Sequence, residues 1–132
     1  MRIKNKIRTF ILTVVAVMMM TVPAFAGGDF DFYLSMIEED GNAIEYTDNV
    51  TRNNSNNYGE VNYSASSQYS GLAYTIIGQY GDYQDYSEKV YATAISGRYE
   101  MPYIRDVYNG NNYRLKCEID RYSLNVTGNW EP

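Results

Sequence analysis

Tyr113-Arg-Leu-Lys-Cys-Glu-Ile-Asp-Arg-Tyr-Ser-Leu-Asn-Val-Thr-Gly-Asn-Trp130 is the stretch whose reading decides the fold. In its first half Tyr113, Leu115, Cys117 and Ile119 alternate with Arg114, Lys116, Glu118 and Asp120. In its second half Tyr122, Leu124, Val126 and Trp130 stand against Ser123, Asn125, Thr127 and Asn129. Successive strand residues point to opposite sides, so each half is a strand with one apolar and one wet face. A two-residue turn at Asp120-Arg121 makes the halves a hairpin, with Ile119 opposite Tyr122, Cys117 opposite Leu124 and Leu115 opposite Val126. Asp120-Arg121 lacks the Gly or Asn that such a turn prefers, however, and the chain can instead cross there to a second sheet. In both arrangements the stretch carries much of the apolar surface that the chain can bury.

The same alternation recurs upstream. Phe30, Phe32, Leu34 and Met36 alternate with Asp29, Asp31, Tyr33 and Ser35, and a charged turn from Glu38 to Asn42 ends that strand. Ile44 and Tyr46 mark a short strand, and Thr51 to Asn57 is a polar loop, because Asn side chains compete with the backbone for hydrogen bonds. Val61, Tyr63 and Ala65 form the apolar side of another strand, followed by a turn from Ser67 to Gly71. Leu72 to Ile77 is apolar on both faces and so belongs in the middle of a sheet. Val90, Ala92 and Ala94 resume the pattern, then Tyr99, Met101 and Tyr103; Pro102 removes a ladder donor and makes that last piece an edge strand or a bulge. Asn109-Gly110 is the strongest tight-turn dipeptide in the chain. The expected fold is all-β, an antiparallel β-sandwich of about seven to eight strands.

Only the start of the chain breaks this pattern. Arg2, Lys4, Lys6 and Arg8 precede an apolar run from Phe10 to Val22, then Pro23 and Ala24-Phe25-Ala26. That order of charged, apolar and small residues is a secretory signal peptide, expected to be cleaved after Ala26, and the apolar run is short for a membrane span. The expected organisation is residues 1–26 as a helical signal peptide and residues 27–132 as a single β-sandwich domain. Residues 27–132 hold seven Lys and Arg against 16 Asp and Glu, a net charge of −9. Such a chain is repelled by nucleic-acid phosphates and by anionic membrane surfaces, so neither nucleic-acid binding nor stable membrane insertion is expected. The same residues contain all 15 Tyr but only 16 Leu, Ile and Val. Tyrosine must therefore supply core area, burying its ring while its hydroxyl stays wet at the rim.

Chemistry is narrowed mostly by exclusion. The chain has no His, which removes Ser-His and Cys-His pairs, histidine general bases and the commonest zinc and copper ligands. Cys117 is the only cysteine and can form no internal disulfide. On the apolar phase of its strand it reads as a small buried hydrophobe, with an intermolecular disulfide or a reactive thiol as the alternative. No phosphate-cradling loop is present, since Gly78-Gln-Tyr-Gly81 lacks the Lys and the helix that such a loop requires. Two carboxylates would suffice for a glycosidase, but nothing in the order of residues marks a pair. No catalytic residue, cofactor or metal is assigned. Asp29 and Asp31, or Glu38, Glu39 and Asp40 with Asn42, offer oxygens of the kind calcium takes, without the spacing of the known twelve-residue loop. The one candidate binding face is in the long connection Gly78 to Glu88, where Tyr80, Tyr83 and Tyr86 are interleaved with Asp82, Gln84 and Asp85. Exposed rings beside amides and carboxylates suit a glycan; alternatively the rings fold back over a core short of aliphatics.

Asp31-Phe-Tyr-Leu, Thr51-Arg-Asn-Asn, Val61-Asn-Tyr-Ser, Gly97-Arg-Tyr and Val126-Thr-Gly-Asn-Trp-Glu-Pro carry a resemblance to an uncharacterised family of small secreted, Tyr- and Asn-rich proteins of Gram-positive bacteria. That family is similar in size and ending to the lactococcin-like bacteriocins, small β-sandwiches that act on cell-wall synthesis; this chain differs in being acidic and in lacking His. The resemblance implies a secreted, non-enzymatic protein, bacteriocin-like or signalling, and supplies no catalytic residues. The alternative expectation is a cell-envelope or glycan-binding module using the face made by Tyr80, Asp82, Tyr83, Asp85 and Tyr86. Its partners are then a cell-wall component or another secreted protein.

Overall fold

A computed structural model describes residues 27–37, 39, 41–66 and 71–132. The expected signal peptide, Glu38 and Asp40 of the first charged turn, and most of the expected Ser67–Gly71 turn lie outside the described residues. Within them the chain forms β1 (Gly28–Leu34), β2 (Ile44–Tyr46), β3 (Val50–Thr51), β4 (Tyr58–Ala65), β5 (Ala73–Gly78), β6 (Val90–Tyr91), β7 (Ser96–Pro102), β8 (Asn112–Glu118) and β9 (Leu124–Glu131). No helix occurs among the described residues. One sheet runs β1-β9-β4-β7; the other runs β2-β8-β5-β6, with β3 also paired to β8. Every pairing between these strands is antiparallel. The fold is an antiparallel β-sandwich, as its alternating sequence requires.

The hairpin expected at Asp120-Arg121 is not formed. β8 pairs with β2, β3 and β5, whereas β9 pairs with β1 and β4 in the opposite sheet. The link from Ile119 to Ser123 is thus a crossing between sheets, as the missing turn residues allow. Tyr122, placed by alternation in the apolar wall, stands 70% exposed in that link. Cys117 and Leu124 both reach the core, from opposite sheets. Asn109-Gly110 makes another such crossing. Its Asn111 N–H donates to Tyr108 O at 3.2 Å, and Gly110 takes a φ of 86°. A positive φ at the third turn residue alone is a type II turn, which does not close a hairpin. Strand lengths also differ from expectation where burial ends. β1 stops at Leu34 and leaves Met36 exposed, and β6 contains only Val90 and Tyr91. β5 is buried at every position and lies between β8 and β6, while β7, with Pro102, is a sheet edge.

The core lies between the sheets. Phe30, Leu34, Val61, Tyr63, Met101, Leu124, Val126 and Trp130 face Tyr74, Ile76, Tyr113, Leu115, Cys117 and Ile119. Tyrosine supplies area as its abundance predicts: the Tyr74 ring lies 5.3 Å from Tyr63 and 6.3 Å from Phe30. The Tyr63 hydroxyl reaches the backbone carbonyl of Ala94, but the Tyr74 hydroxyl is buried without a partner. Because paired residues of an antiparallel ladder share a side, the register also fixes the outer face of the second sheet. Arg114 lies beside Ile77, Lys116 between Tyr46 and Thr75, and Glu118 between Ile44 and Ala73.

Two outcomes follow from this packing. Leu124→Ala should cost about 2–5 kcal/mol in denaturant unfolding, since it removes a buried side chain between sheets; a near-neutral value would show that β9 is peripheral. Burial raises the pKa of the Cys117 thiol and of the Tyr74 phenol above their ordinary 9.0 and 10.0. Their contribution to stability is therefore full below those values and lost as pH rises above them. The thermal midpoint should fall on titration past pH 9. Tyr74→Phe should soften that fall and be neutral or stabilising near pH 7, because it deletes an unmet hydroxyl.

Candidate functional site

The long connection after β5 curls back over the outer face of the second sheet, and its geometry follows from its glycines. Asp82 N–H donates to Gln79 O at 2.8 Å, closing a turn in which Gly81 has a φ of 91°. With Tyr80 at negative φ, this is a type II turn, and its third position needs glycine. Asp82 continues the turn by accepting Gln84 N–H on Oδ1 at 3.0 Å, and Gly78 N–H donates to Gln84 O at 3.1 Å. The connection is thereby a closed, self-bonded loop on a rigid sheet, the setting in which binding residues are commonly displayed.

Arg114 of β8 anchors that loop from below. Its Nε donates to Gly78 O at 3.0 Å and its Nη2 to Asp82 O at 3.4 Å. The residue is 5% exposed, and its guanidinium carbon stands 5.1 Å from the Tyr46 ring centre, 5.2 Å from Tyr83 and 5.8 Å from Tyr80. These distances are within the range of cation–π attraction. Tyr46 meets Tyr83 edge-on, with centroids 6.1 Å apart. Tyr80 N–H donates to Asn49 Oδ1 at 3.2 Å, tying the loop to the segment between β2 and β3. Around the guanidinium, Tyr46, Thr47, Asp48, Asn49, Tyr80 and Tyr83 line an open pocket of about 410 Å³. The outer parts of the rings remain in solvent: Tyr80 is 81% exposed, Tyr83 65% and Tyr46 37%.

The structure divides the five residues that the sequence groups as one face. Tyr80 and Tyr83 stand together over Arg114. Asp82 and Tyr86 turn to the other side of the loop, where the Tyr86 hydroxyl donates to Asp82 Oδ2 at 2.9 Å and its ring meets Tyr113 edge-on at 5.3 Å. The Asp82 carboxylate beside it holds the Tyr86 hydroxyl above the ordinary phenol pKa, so it stays a donor. On that side Gly78, Gln79, Asp82, Tyr86, Asp106 and Tyr108 help to line a smaller cleft of about 220 Å³. The oxygens of Asp82 are occupied there in holding the loop. Asp85 belongs to neither group: its backbone oxygen accepts Arg105 Nε at 2.8 Å and its carboxylate lies 3.7 Å from Lys116 Nζ. Both readings of the Tyr-rich loop are thus partly met, since Tyr86 folds back against the core and the other two rings face outward.

Tyr46, Asn49 and Arg114 are the site residues that the sequence does not reveal. Arg114 reads as an ordinary wet-face residue of its strand, and only the pairings of β8 with β2 and β5 bring it to Tyr46 and to the loop. Among the described residues no group of three or more His, Cys, Asp or Glu converges as a metal site, and Asp29 and Asp31 are both exposed on β1. Cys117 is buried and burial pushes its thiol pKa up, which removes it as a nucleophile. The arrangement presents aromatic faces and hydrogen-bonding groups, the equipment of binding. Compared with protein-family models, curated proteins and solved structures, the chain finds no match.

The turn at Gly81 allows a direct check of this construction. Gly81→Ala meets open space but keeps a backbone conformation that costs an L-residue about 1–2 kcal/mol. Amide hydrogen exchange should accelerate in residues 79–86 while β8 and β9 keep their protection; unchanged exchange in the loop would contradict the turn assignment.

Proposed function

We propose that this protein is a secreted, non-enzymatic binding module for glycans of a cell envelope, with Tyr46, Tyr80 and Tyr83 as its contact surface. The observation that carries the reading is the gathering of three partly exposed tyrosines, from two separate chain segments, around one buried arginine. Large aromatic side chains left in solvent beside a pocket are costly as ordinary surface, and they suit a ligand with flat apolar faces and polar edges. A pyranose ring has both. Its C–H face stacks on a phenol ring, and its hydroxyls find Asn49 and the tyrosine hydroxyls at the pocket rim. Secretion is supported by the signal-like first 26 residues. The absence of histidine and the burial of Cys117 favour binding over catalysis.

Retention of residues 27–132 on isolated cell walls and on insoluble polysaccharides tests the reading. The double variant Tyr80→Ala with Tyr83→Ala should lose affinity by about tenfold or more, equivalent to roughly 1.4 kcal/mol, while still unfolding cooperatively from a native sandwich. Equal retention of the variant and the parent would overturn the assignment of the surface.

A further inference from the structure

Seven lysines and arginines follow residue 26; exposed Arg105 donates Nε to Asp85 O, and the other six are used in three ways. Lys89, Arg98, Lys116 and Arg121 meet carboxylates in ion pairs. Arg52 is buried and largely satisfied by the backbone and an amide. Its Nη1 donates to Asn54 O and Asn109 Oδ1, both at 2.8 Å, and its Nη2 donates to Asn56 O, with Tyr103 beneath the plane. It clamps two loops, and although it also lines an open pocket of about 530 Å³, both of its Nη nitrogens already donate to the protein. Arg114 is equally buried, yet only Nε and Nη2 donate to protein acceptors among the described residues, and no carboxylate there lies within ion-pair distance. Its guanidinium instead borders the open pocket between Tyr46, Tyr80 and Tyr83. Carbonyl acceptors and ring faces hold a guanidinium in place without cancelling its charge.

A desolvated cation at the base of an open pocket, held by neutral groups and with donors left over, is a receptor for an anion. We propose that Arg114 makes the tyrosine surface selective for saccharides carrying an oxyanion, a carboxylate or a phosphate ester. The guanidinium takes the acid group while Tyr80 and Tyr83 stack on the adjoining ring. This rests on the glycan-binding reading and adds the charge of the ligand to it. The surrounding charges narrow the ligand further. Asp48 lines the same pocket, and the net charge of −9 over residues 27–132 opposes a dense polyanion at long range. A sugar with an isolated acid group fits; a chain with an acid on every unit is penalised.

The test compares three probes by NMR or calorimetric titration of residues 27–132: a neutral glucose disaccharide, the same disaccharide ending in glucuronate, and glucose 6-phosphate. The glucuronate, the phosphate or both should bind at least tenfold tighter than the neutral sugar, and which of them does so identifies the acid group. The preference should shrink as salt is raised. Arg114→Gln should bring the acid probes down to the affinity of the neutral one. Because Arg114 also anchors the loop, the exposed Asp48→Asn provides a second arm, in which the acid probes should gain severalfold relative to the neutral sugar. Equal affinity for neutral and acidic probes, with binding still dependent on Tyr80 and Tyr83, would overturn the anion proposal and leave the glycan reading standing. No binding by any probe, together with loss-free retention of the Tyr80 and Tyr83 double variant on cell walls, would overturn both.

Discussion

Two neighbouring strands of the sequence, β8 and β9, lie at interior positions of opposite sheets, and the rest of the molecule depends on that separation. β8 carries β2 and β3 on one side and β5 on the other, and β9 is held between β1 and β4. Their apolar phases, with Leu115 and Cys117 from one and Leu124, Val126 and Trp130 from the other, meet in a single core. A hairpin would have put all of these residues on one face of one sheet. Crossing at Asp120 instead lets the two apolar phases face each other across the core. Tyrosine rings complete the layer, and the buried Tyr74 hydroxyl without a partner is a cost of that substitution for aliphatic side chains.

The same separation turns the polar phase of β8 to the outer face of its sheet. With its apolar phase turned inward, Arg114, Lys116 and Glu118 point outward beside Tyr46 and Ile44. The loop after β5 folds onto one end of this row because Gly78 and Gly81 permit a tight return, and because Arg114 captures its carbonyls. Rigidity comes from the sheet and display from the loop. Exposed rings fixed by their backbone lose little conformational freedom when a ligand arrives, and low ordering cost favours affinity.

Arg52 and Arg114 show how one side chain serves two ends. Both are buried on neutral acceptors rather than on carboxylates, although the chain is rich in Asp and Glu. Arg52 spends both Nη nitrogens on Asn54, Asn56 and Asn109, while its Nε is buried without a partner. Arg114 has fewer acceptors and more aromatic neighbours, although both side chains border open pockets. What differs is the number of hydrogen bonds already made, three by Arg52 against two by Arg114, and the proposed anion-binding role of Arg114 rests on that difference.

Residue order alone determined the fold class, because period-2 alternation over short segments leaves little but an antiparallel sandwich, and the all-buried β5 and the Pro102 edge strand were legible for the same reason. Whether the rings of the 78–88 loop face outward or fold back was not legible, because the loop has no apolar alternation to decide it. The structure does both: Tyr80 and Tyr83 are exposed while Tyr86 packs against the core. The partner of each strand was not legible either. Alternation fixes which face of a strand is buried and is silent on which sheet it joins, so β8 and β9 read equally well as a hairpin or as a crossing. The grouping of Tyr80, Asp82, Tyr83, Asp85 and Tyr86 failed on the same ground: in a turn around Gly81, neighbouring side chains leave on opposite sides of the loop. The centre of the site, Arg114 with Tyr46, was decided only by tertiary structure, because residues so far apart in the chain become neighbours solely through the hydrogen-bonded register of β2, β8 and β5.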